Sequence, residues 1–261
     1  TIEKIKDYSK NTVISQWFED HLADTGPDYS SNRKKLLKYD DFISSNFITT
    51  HPSTLDFLKK KKNFHYLPIP VDKNIEKLKI YENKNQICDV FFSMSHGVNR
   101  GKLKRDKEDE RHNFITNLIT QCPNIIFDIY GYKNREPVWA EDFYKVIVNS
   151  KMALNLTRGK PLKYLTSNRI ASLIGNGLLT FIDKRTQLSN FFNNNEVIFY
   201  SGLEDLANKI NFYKSNDQKR INVAKKGRKK YFDLFECQKV ANYIISKSFN
   251  REISKKLKWM D

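Results

Sequence analysis

The chain has 261 residues, 39% of them hydrophobic and 13% aromatic, and carries a formal net charge of +16. That is enough apolar material for a buried core in one large or two ordinary domains, and no apolar run approaches the roughly 18 residues of a membrane span. Three cysteines without a CxxC pair and five histidines without metal-ligand spacing argue against a disulfide framework and against structural zinc; reduced thiols in a cytoplasmic protein are expected.

In chain order, "TVISQWFED" (12–20) mixes β-branched and aromatic residues and reads as a strand. "TGPDYSSN" (25–32) reads as loop, "DFISSNFITT" (41–50) as a strand, and "HPSTLDFLKKKK" (51–62) as a helix with Pro52 and Ser53 at its start. "FHYLPIPVD" (64–72) is a short strand that runs into an extended linker, because Pro68 and Pro70 exclude a helix. The remainder alternates. Strands are expected at 87–95, 124–131, 151–157, 178–183 and 196–201. Helices are expected at 108–122, 140–150, 167–177, 186–192 and 203–215, and a long helical region at 217–249. Strands alternating with helices of this length imply βαβ units and a doubly wound parallel sheet.

In an open α/β sheet, ligands bind beyond the carboxyl ends of the strands. Three expected loops on that rim are basic and contain glycine: "HGVNRGK" (96–102), "YGYKNR" (130–135) and "NLTRGKPLKYLTSN" (155–168). The helix expected at Ser167 adds free N–H groups and a positive dipole end, and Arg169 adds a fork suited to phosphate oxygens. Read as structure alone, Ser167 or Asn168 is a helix cap and Arg169 a surface charge. Three basic loops on one rim favour a held anion, of which a diphosphate is the expected form.

The stretch "SKMALNLTRGKPLKYLTSNRIASLIGNGLLTFID" resembles the donor-binding segment of bacterial GT-B glycosyltransferases, the broad group that includes the CgeB-like families. The shared pattern is a strand ending in Leu154-Asn155, a loop, the helix start Ser167-Asn168-Arg169, and Gly177 before the next strand. "LPIPVD" (67–72) is similar to the interdomain linker of such enzymes, and "FFSMSHGVNRG" to the first strand and loop of their C-terminal domain. The resemblance implies an α/β, GT-B type fold with a partial N-terminal acceptor-side domain at 1–72. A Rossmann-like nucleotide-sugar domain would follow at 73–238, and a C-terminal helix at 239–261 would return to the N-terminal part. A chain that opens on Thr1 with so short a first domain is expected to lack the early strands.

By the same resemblance, Ser167, Asn168 and Arg169 would face the donor diphosphate, with Arg100 and Lys102 assisting. Tyr130, Gly131, Asn155, Thr157 and Arg158 would line the nucleoside or sugar. The segment is also similar to the Tyr-x-Thr-Glu-Lys donor motif of fucosyltransferases, which adds Tyr164, with Ser167-Asn168 in place of Glu-Lys. Many relatives carry a glutamate three residues after the arginine, where Ser172 stands here, which leaves the ribose contacts unassigned. Asp20 or His21, at the end of a strand, would serve as general base, or Asp20 would merely cap or pair; His96 would hydrogen-bond sugar or phosphate, or be a polar loop residue. Such enzymes offset the leaving diphosphate with side chains and a helix end, so no metal and no cofactor are expected beyond the nucleotide-sugar donor.

The expected reaction is therefore sugar transfer to a glycan or lipid-linked acceptor, with the lysine runs at 58–63, 100–107 and 225–230 holding the enzyme to an anionic membrane surface or an anionic acceptor. By default the first and third runs are solvated surface. The other readings are an inactive glycosyltransferase-like binding domain and, less favoured, a nucleic-acid-binding protein; no helix-turn-helix, RRM or zinc pattern supports the last.

Overall fold

Two parallel sheets organise the chain. The structure, a computed structural model, describes residues 2–8, 11–26, 28–95, 98–99, 102–103, 110–253 and 256–260. The elements run α1 (Ile2–Tyr8), β1 (Ser15–Phe18), α2 (Tyr29–Leu37), β2 (Ser45–Ile48), β3 (Phe64–Tyr66), β4 (Cys88–Ser93), β5 (Val98–Asn99), β6 (Lys102–Leu103), α3 (Glu110–Gln121), β7 (Phe127–Tyr130) and α4 (Ala140–Ile147). They continue with β8 (Ser150–Asn155), α5 (Asn168–Gly175), β9 (Leu179–Asp183), β10 (Ile198–Tyr200), α6 (Leu203–Ser215), α7 (Asp217–Phe235) and α8 (Cys237–Ser248).

The larger sheet has the order β10-β9-β8-β4-β7, every pair parallel, which is the doubly wound sheet expected from the alternation. Its strands read as continuous apolar runs because both faces are covered. On one face Phe92, Met152, Leu154 and Phe181 pack with Ile115 and Leu118 of α3 and Leu206 and Ile210 of α6. On the other, Phe91 and Ala153 pack with Ile147 of α4 and Leu173 of α5.

The smaller sheet, β1-β2-β3, is parallel as well, with Trp17 opposite Phe47 and Phe47 opposite His65. Leu22, Leu36, Ile48, Leu55, Leu58 and Phe64 form its own core. The chain crosses between the sheets twice, side by side. The Val71 N–H donates to the Phe235 carbonyl, and the Cys237 N–H donates to the Val71 carbonyl, both at 2.9 Å. Beyond this crossing α8 lies on β2: the Tyr243 ring meets Phe47 edge-on at 6.0 Å, and Ser45 Oγ donates to the Lys247 carbonyl at 3.1 Å. Phe249, at its end, is exposed. All three cysteines are free thiols. No helix among the described residues is long and apolar enough to cross a membrane.

Four local expectations fail. The loop expected at 25–32 is the entry to α2, a mostly polar helix that buries only Asn32 and Leu36. The helix expected at 51–62 is two separate 3-10 turns, Pro52–Thr54 and Asp56–Leu58, because Leu55 between them is extended (φ −111°, ψ 100°). The helix expected at 186–192 is likewise two 3-10 turns, Lys184–Thr186 and Leu188–Asn190, separated by Gln187 at φ 54°. The helical region 217–249 is broken at Glu236, extended at φ −54° and ψ 137°, where the chain crosses back to the smaller sheet.

Candidate functional site

Between the two sheets, at the carboxyl ends of β1 and β4, lies a cleft of about 570 Å³. Its floor is Ser93, Met94 and Ser95, where β4 runs out. The floor is held from below by Gly131 at the end of β7. Gly131 has φ 70°, and a Cβ there would stand 1.8 Å from the Met94 carbonyl oxygen, so only glycine permits the two strand ends to meet.

One wall is the start of α5. Ser167 is its N-cap residue in backbone conformation (φ −135°, ψ 163°), yet its side chain makes no capping bond. Among the described residues its buried hydroxyl has no hydrogen-bond partner. Ser167, Asn168, Arg169 and Ser172 all line the cleft. Arg169 is held rather than loose: Nη1 donates to the Leu156 carbonyl at 3.0 Å, and the guanidinium sits 4.9 Å from the centre of the buried Phe92 ring.

The second wall comes from the loop after β7 and the first turns of α4: Val138, Trp139, Phe143 and Tyr144. Trp139 is 57% exposed, and Ala140 after it is forced to φ 48°. Phe143 is fixed edge-on to Phe91 at 5.3 Å. The third wall belongs to the smaller sheet. Glu19 and Asp20 follow β1, are exposed and face the cleft. Asn168 Nδ2 donates to Glu19 Oε2 at 2.8 Å, a direct tie across the cleft.

The structure thus brings Asp20, Ser167, Asn168 and Arg169 together. Other expected residues go elsewhere. Thr157 lines a separate cavity of about 400 Å³ on the far side of β8, with Glu110, Arg111, Asp183 and Tyr200. There burial, and next to it Asp183, pushes the Tyr200 hydroxyl pKa up. Arg158 pairs with Asp28 at 3.6 Å, reaching across to the smaller-sheet region. Asn155 is buried at the end of β8. Tyr130 lies beneath the guanidinium of Arg135, 3.7 Å from its ring centre. Tyr164 corrects the fucosyltransferase-type assignment. It sits at φ 60° in an aromatic cluster with His51, Tyr66 and Phe191, and its hydroxyl accepts from Asn190 Nδ2 at 2.9 Å; it is core, not cleft lining.

His21 is also a packing residue. Its Nδ1 accepts the Ala23 N–H at 3.2 Å, and its ring packs against Gly26 and Gly159, where burial lowers its pKa. His96 and Arg100 lie outside the described residues, and for Lys102 only the backbone, in the short β5-β6 hairpin, is described. Among the described residues, no group of three or more His, Cys, Asp or Glu side chains could hold a metal ion.

Sequence reasoning missed Glu19 and the whole aromatic wall. "EPVWAEDF" carried a usable signal for the latter: a tryptophan just past a glycine loop on the binding rim, ahead of a helix that needs only one apolar face.

Two parallel sheets, a linker crossing beside the start of α8, and a cleft facing the N-terminus of α5 make up a fold of GT-B type. Residues 107–246 match the model of the glycosyl transferase-like family, more than half of the 261 residues, and the chain belongs to that family. No curated protein matches it by sequence. Among solved structures it is similar to HepE of Anabaena in complex with UDP, with a TM-score of 0.67 at 13% identity over 95% of this chain and 75% of HepE. TarM of S. aureus superposes with a TM-score of 0.59 at 14% identity, covering 92% of this chain and 51% of TarM. Sucrose-phosphate synthase from Thermosynechococcus elongatus gives 0.57 at 9% identity, over 95% of this chain and 70% of that one.

Proposed function

We propose that the 570 Å³ cleft binds the diphosphate of a nucleotide-sugar donor at the start of α5, and that the sugar passes to a hydroxyl of a glycan or lipid-linked acceptor. The observation that carries this reading is the α5 N-terminus. Its N-cap hydroxyl, on Ser167, is not spent on the helix, and Arg169 is fixed beside it by Leu156 and Phe92. Helix-end N–H groups and a pre-positioned guanidinium favour a diphosphate oxygen, and they favour it more as the leaving group gains charge. In this reading they do the work that a metal ion would otherwise do. Arg100 and Lys102 would add charge from the segment of sequence that follows β4.

Trp139 and Phe143 offer an aromatic wall for the nucleobase. HepE was solved with UDP and, separately, with UDP-glucose, so a uridine nucleotide is the first donor class to test. Asp20, on the wall contributed by the smaller sheet, would take the proton of the acceptor hydroxyl as the new glycosidic bond forms.

The test is calorimetric titration of UDP and of uridine into the unaltered protein and into Arg169→Ala. A charge-assisted hydrogen bond contributes roughly 1.5–3 kcal/mol, so UDP should bind about tenfold to a hundredfold more weakly to the variant. Uridine, which lacks the phosphates, should bind both proteins alike. Equal losses for both ligands, or none, would mean that α5 begins as a plain structural helix and that the diphosphate is held elsewhere.

A further inference from the structure

The lysine run at 225–230 is gathered by folding. On α7, Lys225, Lys226 and Lys229 recur at helical spacing, are exposed, and line a cavity of about 550 Å³ with Arg228, Phe232 and Tyr81. A single carboxylate, Asp233, stands among them. The cavity shares no lining residue with the donor cleft. Tyr81 covers Gly177, just past the C-terminal end of α5, where a Cβ would come within 2.5 Å of its ring. The donor cleft is at the other end of that eight-residue helix, so about 12 Å of helix separates the two.

The walls of the cavity specify a chemistry. Three exposed lysines suit carboxylate, sulfate or phosphate groups that are spread along a ligand. The half-buried Tyr81 ring, the aromatic face not covered by Arg228, suits the C–H face of a sugar ring. Arg228 is already engaged: its Nη2 donates to the Glu76 carbonyl at 2.9 Å, and its guanidinium covers the Phe232 ring at 4.6 Å. It therefore shapes the wall more than it captures a single phosphate. A bilayer surface fits less well, because surface-lying helices project apolar side chains outward, whereas here Phe232 lies beneath Arg228.

We propose that this cavity is a second carbohydrate site, which holds an acidic stretch of the acceptor glycan about one helix length from the point of transfer. The proposal rests on the glycosyl-transfer reading above and names its acceptor class, an anionic oligosaccharide. Holding a distant part of the acceptor raises the local concentration of its reacting end, as any second attachment point does.

The experiment compares four probes on the full chain: a short oligogalacturonate, a neutral malto-oligosaccharide of the same length, inorganic polyphosphate, and phosphatidylglycerol vesicles. Oligogalacturonate should bind and the neutral chain should not. Lys225→Ala/Lys226→Ala/Lys229→Ala, all at exposed positions, should lose at least roughly tenfold in oligogalacturonate affinity, the loss of one or two charged contacts. Its UDP affinity and unfolding midpoint should not change. Tyr81→Leu should weaken oligogalacturonate and leave polyphosphate untouched.

Several results would overturn the proposal: no binding of oligogalacturonate, tighter binding of the vesicles, or polyphosphate and oligogalacturonate bound alike with Tyr81→Leu without effect. The last would leave a charged surface with no sugar recognition. If UDP binds the unaltered protein and oligogalacturonate does not, this proposal fails alone. If UDP does not bind, the reading of the cleft fails and takes this one with it.

Discussion

The two sides of the cleft are built differently. The side formed by the larger sheet stands on strands covered by helices on both faces, and its floor is locked where Gly131 meets the Met94 carbonyl. The side formed by the smaller sheet stands on strands of three or four residues joined by α2 and by 3-10 turns. Polar ties hold it. Asn46, buried in the central strand, donates to Asp40 at 3.0 Å, Asn63 donates to the same oxygen at 3.1 Å, and Asn32 donates to the His21 carbonyl at 3.0 Å. Apolar packing is short-ranged and rigid, and suits groups that must be pre-positioned for charge. Polar ties can be exchanged for water at small net cost, and suit a wall that must adjust to an acceptor. The donor-side groups, Ser167 and Arg169, lie on the first kind of wall and Asp20 on the second.

The largest expected effect breaks the rigid side. Gly131→Ala would place a methyl group 1.8 Å from a carbonyl oxygen at φ 70°. Left-handed strain and overpacking together cost on the order of 3 kcal/mol or more, which lowers the unfolding midpoint by roughly 10 °C in a chain of this size. Gly202→Ala is the control: its φ is 88°, but nothing lies within 4 Å of the added carbon, so only the backbone strain remains. Equal midpoints for the two variants would mean that the strand ends are not locked together.

A second effect separates the parts of the rigid side. If Trp139 stacks on a nucleobase, Trp139→Ala should cost about 1–3 kcal/mol of UDP affinity, the usual worth of one stacked base. Uridine should lose as much as UDP, the opposite of the pattern expected for Arg169→Ala. Trp139 is 57% exposed, so the fold should not change.

The same contrast governs what was legible in the sequence. The larger sheet was legible because its helices and strands are long enough to show their periods, and because Gly177 (φ 84°) and Ser167 mark the two ends of α5. The smaller-sheet region was not. In α2, "YSSNRKKLL" buries two residues and has no apolar stripe to read. At 51–62 the start signals, Pro52 and Ser53, are genuine: the His51 ring accepts the Ser53 N–H at 3.2 Å. What the sequence did not disclose is that Leu55 turns away to join Leu22, Leu36 and Ile48 in the core, which ends the turn after three residues. For the site, the Ser-Asn-Arg start of α5 was readable as a local motif. The Trp139 wall left its own signal in a tryptophan past a rim glycine, but its partnership with that motif was not readable, because nearly thirty positions separate the two and only the sheet order brings them together.

A third, smaller effect tests the polar side by acid. Burial lowers the pKa of His21, and burial with the nearby Lys247 charge lowers that of His65 from 6.5 to about 4. Below the ordinary value of 6.5 the unfolded chain takes up protons on these rings and the folded chain does not. Their contribution is therefore complete above about pH 6.5, falls as the pH drops, and for His65 levels off below about 4. His65→Gln should flatten the fall of the unfolding midpoint between pH 6.5 and 5. The difference should be about 1 kcal/mol or less, once solvent screening of a half-buried ring is allowed for. Amide exchange should speed up in β2 and β3 over this range before it does in β4 and β8. A uniform acceleration in both sheets would mean that the two sides are not independently stable.

The smallest effect concerns the bond that joins the two sides, Asn168 Nδ2 to Glu19 Oε2 at 2.8 Å. Both residues are exposed, so water competes for each partner and the bond is worth little in absolute terms. Its worth can be isolated by a double-mutant cycle, with Asn168→Ala, Glu19→Ala and the pair compared by denaturant unfolding. A coupling of about 0.5–1 kcal/mol is expected in the protein alone. Saturating UDP should change it. A diphosphate at the start of α5 brings negative charge next to the Glu19 carboxylate, and like charges at that separation repel. The coupling should therefore shrink towards zero with UDP bound, and Glu19→Ala should bind UDP slightly more tightly than the unaltered protein. A coupling that stays the same with and without UDP would place the diphosphate away from Asn168, and the adjustable wall would then have no link to the occupancy of the rigid one.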